Sequence, residues 1–139
     1  RGPLLQLRPE LEYIGLDGSE YAVQRYGRSR NLHLMRFGEL AQLAFDEPVD
    51  LLICADMMHY VADDELERGL AAFANLCDGV AWLEVFCRED AVEGDYQDYY
   101  QRDAAWYREQ FGRAGFHPCG NHCYLSQALV PGAMALERL

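Results

Sequence analysis

Tyr13-Ile14-Gly15-Leu16-Asp17-Gly18-Ser19, read together with Val49-Asp50-Leu51-Leu52-Ile53-Cys54-Ala55-Asp56, decides the fold. Each stretch is a short apolar run that ends in small residues and an acid. A buried parallel strand reads this way when it delivers a carboxylate to the rim of a nucleoside-binding crevice. Two such strands with helical patterns between and after them point to an enzyme that handles a nucleoside-bearing cofactor.

Working outward, Pro3 sits early in a helix over residues 3–7, where its missing N–H costs nothing. Residues 13–16 form a short strand. Ser19 caps a helix that runs to Tyr26 and stops at Gly27. Residues 32–37 alternate as a strand closed by Gly38. Residues 49–55 are apolar almost throughout, so this strand is expected to be covered on both faces. Asp63 is read as an N-cap, with Asp64 and Glu65 in the first turn where the helix dipole favours acids. Leu66, Leu70, Phe73 and Cys77 share one face of that helix, which Gly79 ends. A strand over 80–86, a tyrosine-bearing loop over 95–103 and a helix over 104–114 follow. That helix buries Tyr107, Phe111 and Ala114 and stops at Gly115. Two closing strands, 118–125 and 133–139, are joined through the turn signal Val130-Pro131-Gly132.

This alternation predicts an α/β fold: a doubly wound, mostly parallel Rossmann-like sheet with an antiparallel C-terminal strand. The expected organisation is one domain over residues 1–139. Half of the 139 residues are hydrophobic and a quarter are charged, an ordinary globular balance. A net charge of −11 argues against a nucleic-acid surface, because phosphates are held by clustered Lys and Arg. No apolar run approaches the ~20 residues of a membrane span. Five cysteines, Cys54, Cys77, Cys87, Cys119 and Cys123, are an odd number scattered through core-like segments. They read as reduced thiols of a cytoplasmic protein. His117-Pro118-Cys119-Gly120-Asn121-His122-Cys123 invites a zinc reading, but in an extended strand His122 faces away from the other three ligands. No metal is expected.

From Gly2 onward the chain resembles the class I S-adenosylmethionine-dependent methyltransferases, whose seven-stranded sheet has its last strand antiparallel and inserted beside the fifth. The matching motifs are residues 13–19 at the end of the second strand, Phe37-Gly38-Glu39-Leu40 after the third, and residues 49–61 for the fourth strand and its exit. Residues 103–116, ending in Ala114-Gly115-Phe116, resemble the late helix and the start of the sixth strand. The family's first strand and glycine-rich loop would precede Gly2, which resembles the last glycine of that loop. The natural protein is therefore expected to be longer at its N-terminus, or to take its central strand from elsewhere.

The resemblance implies S-adenosylmethionine as cofactor, a small-molecule acceptor, and a set of site residues. Asp17, with Gly18, would accept hydrogen bonds from the ribose hydroxyls; the plainer alternative is a cap of the helix behind Ser19. Gly38 and Glu39 would meet the adenine amino group, with the Leu40 N–H as a second contact, unless Glu39 is only a solvated turn acid. Ala55, Asp56 and Met57 would lead to the methionine end of the cofactor, where Met57 and Met58 line the site or fill core. Methyl transfer from a sulfonium needs alignment, and a base only where the acceptor carries a proton. His59 and Tyr60 are the catalytic candidates, although a histidine bonded to a nearby carbonyl would serve structure alone. Tyr96, Tyr99, Tyr100 and Trp106 would wall an acceptor pocket for an aromatic or amine-bearing molecule, or else fold down on one another. Two rival readings stay open: an NAD-dependent oxidoreductase, since an acid after the second strand also serves NAD ribose, and a catalytically silent methyltransferase-like binding module.

Overall fold

In the computed structural model, which describes residues 2–91 and 99–136, the chain divides into two units after Phe37. The first contains α1 (Gly2–Leu7), β1 (Gly15–Asp17), α2 (Glu20–Arg30) and β2 (Leu32–Leu34). β1 and β2 run parallel, with Gly15 opposite Leu32 and Asp17 opposite Leu34. Ser19 caps α2 as its sequence position suggests, its hydroxyl accepting from the Ala22 N–H at 3.2 Å. Gly27 does not end the helix. Asn31, at φ 47°, does so, its N–H bonding back to the Gly27 carbonyl. Gly27 instead permits a close approach, because a Cβ there would stand 3.1 Å from the Leu32 carbonyl oxygen. The strand expected over 32–37 is three residues long, and a 3₁₀ turn, Phe37–Gln42, takes up the following positions.

The second unit is built on a four-stranded sheet in the order β3-β4-β6-β5. Its strands are β3 (Val49–Ala55), β4 (Cys77–Glu84), β5 (Phe116–Gly120) and β6 (Cys123–Ser126). β3 and β4 are parallel, while β6 lies between β4 and β5 and opposes both. α3 (Asp63–Leu76) and α4 (Ala104–Arg113) pack with the sheet. Leu66, Leu70, Phe73 and Leu76 of α3 are buried, as are Ala81 and Leu83 of β4, Phe116 of β5 and Tyr124 of β6. Phe73 meets Phe116 edge-on at 6.3 Å, and Phe111 of α4 meets Tyr124 at 5.1 Å. Burying such rings contributes on the order of 1.5–3 kcal/mol each.

Four expectations from the sequence change here. β3 is an edge strand of its sheet, and its apolar run is not covered on both faces: Leu51 and Ile53, which share one face, are 49% and 59% exposed. Gly79 lies inside β4 rather than at the end of α3. The β3–β4 register slips between Val49 and Leu51, and the slip brings the Asp50 carbonyl to within 1.9 Å of where a Gly79 Cβ would be. Only glycine fits that bulge. The antiparallel strand beside β4 is Cys123–Ser126, with Val80 opposite Leu125, not 133–139. The hairpin turns at Asn121 and His122, both left-handed at φ 48° and 59°, which suits a two-residue turn between twisted strands. Pro131 falls in the first turn of α5 (Val130–Leu136), a position where proline is tolerated. Finally, the N-cap of α3 is Ala62, whose methyl side chain can make no capping bond; Asp63 stands in the first turn of the helix, with its carboxylate engaged by Arg102.

Candidate functional site

Asp17 ends β1 half-buried, and its Oδ1 accepts from the Ser19 N–H at 2.8 Å. That bond fixes the carboxylate at the strand end, and Oδ2 has no partner among the described residues. A carboxylate held by one oxygen with the other available fits a ribose diol. Gly18 and Ser19 beside it are exposed. Gly2 belongs to α1.

In the second unit, Gly38 donates its N–H to Glu65 Oε1 of α3 at 3.2 Å, and a Cβ on Gly38 would press on Glu65 Cγ at 2.8 Å. Leu40 is buried and Glu39 exposed. β3 delivers Ala55 and Asp56 at its exit, both exposed; Met57 is half-buried and Met58 lies fully in the core. Asp56 takes the left-handed conformation, φ 55°, with its N–H on the Glu84 carbonyl at 3.1 Å. A 3₁₀ turn, Met58–Tyr60, follows.

His59 is wholly buried. Its Nδ1 accepts from the Phe86 N–H at 3.4 Å, and its Nε2 stands 3.6 Å from Asp56 Oδ1. Tyr60, Phe86 and Tyr99 place their rings 4.3, 5.0 and 6.0 Å from the imidazole. Burial holds the His59 pKa below the usual histidine range; the Asp56 charge opposes this and Arg102 reinforces it. The ring is therefore neutral at neutral pH. Tyr60 and Tyr100 are about half exposed, and the Tyr100 N–H donates to the His59 carbonyl at 2.8 Å. The structure thus gathers Asp56, His59, Tyr60 and Tyr99 into one cluster. Tyr96 lies outside the described residues.

Arg102 was not a sequence candidate, yet it ties the cluster together. It is buried, with Nε on Asp63 Oδ1 at 2.8 Å, Nη1 on the Met58 carbonyl and the Tyr107 hydroxyl, and Nη2 on the Val61 carbonyl. Its guanidinium lies 4.6 Å from the Tyr100 ring centre and 4.7 Å from that of Trp106, both within cation–π range. Trp106 and Tyr100 accordingly flank an arginine. A single Arg in the aromatic run Tyr99-Tyr100-Gln101-Arg102-Asp103 was the available signal, because a planar cation suits both stacking and forked bonding to carbonyls.

The cysteines are all free. Burial pushes the Cys54 thiol up to about 12 and raises those of Cys77 and Cys87, so these three are not activated nucleophiles. Among the described residues no group of three or more His, Cys, Asp or Glu side chains is placed to hold a metal ion, and no helix is long and apolar enough to cross a membrane.

No protein-family model matches the chain, and no curated protein matches it in sequence. Solved structures do match. A chain in the complex of the Haloferax volcanii Trm112 methyltransferase activator aligns at a TM-score of 0.63 and 25% identity, over 82% of this chain and 56% of its own. The (4+2)-cyclase SpnF aligns at 0.60 and 16%, over 86% of this chain and 48% of its own. An S-adenosylmethionine-dependent methyltransferase from Clostridium acetobutylicum aligns at 0.60 and 14%, over 86% and 70%. The chain spans about half the length of the first two. Its fold is that of the class I S-adenosylmethionine-dependent methyltransferases, with β6 as the antiparallel strand inserted beside β4.

Proposed function

We propose that the chain is part of an S-adenosylmethionine-dependent methyltransferase acting on a small molecule. The observation that carries this is the sheet order β3-β4-β6-β5 with the antiparallel β6 inserted inside the sheet, because a dinucleotide-binding sheet is mostly parallel and takes an antiparallel strand, where it has one, at its edge. It favours methyl transfer over the oxidoreductase reading. Fold alone does not name a reaction, and SpnF, a cyclase, shares this one.

S-adenosylmethionine, when bound, supplies an electrophilic methyl group on a sulfonium. Under this proposal Asp17 holds the ribose hydroxyls, and Gly38, Glu39 and Leu40 meet the adenine. Ala55, Asp56 and Met57 bring the chain past the methionine portion. Tyr60 and Tyr99 wall the acceptor's end, and His59 acts there from the buried side. Open α/β sheets bind ligands at the carboxyl ends of their strands; within its own unit β1 ends in Asp17, and within the other Asp56 directly follows β3.

The Asp17 assignment has a direct test. In Asp17→Asn, S-adenosylhomocysteine affinity measured by calorimetry is expected to fall by about one to two orders of magnitude, the scale of a lost charge-assisted hydrogen-bond pair. Asn keeps the shape and can still accept from Ser19, so the variant separates charge from capping. Unchanged affinity in a folded variant would leave Asp17 as a helix-capping residue only.

A further inference from the structure

The proton of the His59 ring has a definite place. Because the Phe86 N–H donates to Nδ1, the neutral imidazole carries its own proton on Nε2. That Nε2 is buried and has no hydrogen-bond partner among the described residues. Asp56 Oδ1, at 3.6 Å, is just beyond hydrogen-bond range. A buried donor left unmade costs about 1–3 kcal/mol, and hydrogen bonds in working sites often tighten only when the site is engaged. His59 is therefore a donor aimed at a carboxylate, not a base aimed at a substrate.

Asp56 is the solvent-facing member of this pair. Its side chain is 65% exposed, and its backbone is held left-handed at the end of β3, a conformation that disfavours most side chains. Tyr60, Phe86 and Tyr99 surround the imidazole behind it, none of them fully buried. A carboxylate next to an imidazole that is itself ringed by aromatic side chains suits an organic cation, the charge attracting it first and the neighbouring ring quadrupoles adding to that. A carboxylic acid is repelled by the same arrangement, and the chain's net charge of −11 adds to the repulsion.

We infer that Asp56, steered by the Nε2–H of the buried His59, recognises a protonated amine, so that the small molecule taken by this site is a nitrogen compound. His59 is a positioning residue: it fixes Oδ1 and leaves Oδ2 for the ammonium. That the amine is the methyl acceptor rests on the methyltransferase proposal; the cation site itself does not.

The probe is tetramethylammonium chloride, titrated at constant ionic strength and followed by NMR shifts, with tert-butanol as the neutral compound of similar size. Saturable binding is expected for tetramethylammonium and none for tert-butanol. Asp56→Asn, which tolerates the left-handed backbone, should weaken the cation by about tenfold, equivalent to ~1.4 kcal/mol. Asp64→Asn, at an exposed acid of α3, should leave it unchanged. His59→Gln keeps an N–H of similar reach and should retain affinity to within about twofold, whereas His59→Phe should lose about threefold. Equal affinity in wild type and Asp56→Asn, or no preference over tert-butanol, would overturn the inference. Cation binding without S-adenosylhomocysteine binding would remove the methyltransferase reading and keep this one; the reverse result would do the opposite.

Discussion

Gly79→Ala is expected to destabilise the second unit by about 3 kcal/mol or more, a large share of the stability of a small domain. The added methyl would sit 1.9 Å from the Asp50 carbonyl oxygen and 2.5 Å from its carbon. Both atoms belong to the backbone of the neighbouring strand, so no side chain can swing away to make room. Relief would require undoing the bulge between β3 and β4, and β3 delivers Asp56 and His59. Thermal unfolding should show a fall in midpoint of roughly 10 °C. Gly112→Ala is the control, since nothing lies within 4 Å of a Cβ there and alanine is the better helix former. A Gly79→Ala midpoint equal to wild type would mean that the register slip is not as described.

Arg102→Ala is the second large effect expected, again about 3 kcal/mol. Little of this comes from the ion pair, because Asp63 is 72% exposed and solvent screens its charge. Most comes from the Met58 and Val61 carbonyls and the Tyr107 hydroxyl, which lose a buried donor together, and from the lost stacking on Tyr100 and Trp106. Arg102→Lys should recover only a minor part, since an ammonium cannot make the forked set of bonds. Full recovery by lysine in thermal unfolding would show that charge alone matters. Hydrogen exchange gives a second readout: the Tyr100 amide, bonded to the His59 carbonyl, should lose protection in Arg102→Ala.

Much of this architecture was legible in the chain because its signals are local. Ser19 is a cap three residues before the N–H it accepts from, and Asp103 caps α4 in the same way through the Trp106 N–H. The apolar face of α3 repeats at helical spacing, and Asp17 at the end of β1 and Asp56 just past β3 stand where the apolar runs before them end. What failed to show was non-local or ambiguous in kind. Gly79 looks like a helix terminator, and only the approach of Asp50, 29 positions earlier, reveals it as a bulge residue. Asp63 looks like a cap, but its partner is Arg102, 39 positions on. Pro131-Gly132 is a turn signal, yet it lies in the first turn of a helix, while the hairpin turns at Asn121-His122, a choice made by the pairing of β6 with β4 and not by either dipeptide. In the site, the tyrosines advertised themselves, whereas the Phe86 amide that fixes the His59 tautomer has no sequence signature.

The central claim is that this fold serves S-adenosylmethionine. Calorimetric titration with S-adenosylhomocysteine, run beside NAD under the same conditions, tests it most directly. The account predicts saturable binding of S-adenosylhomocysteine to the protein at one site per chain, weakened by Asp17→Asn, and no heat from NAD beyond dilution. Binding of NAD with none of S-adenosylhomocysteine would contradict it.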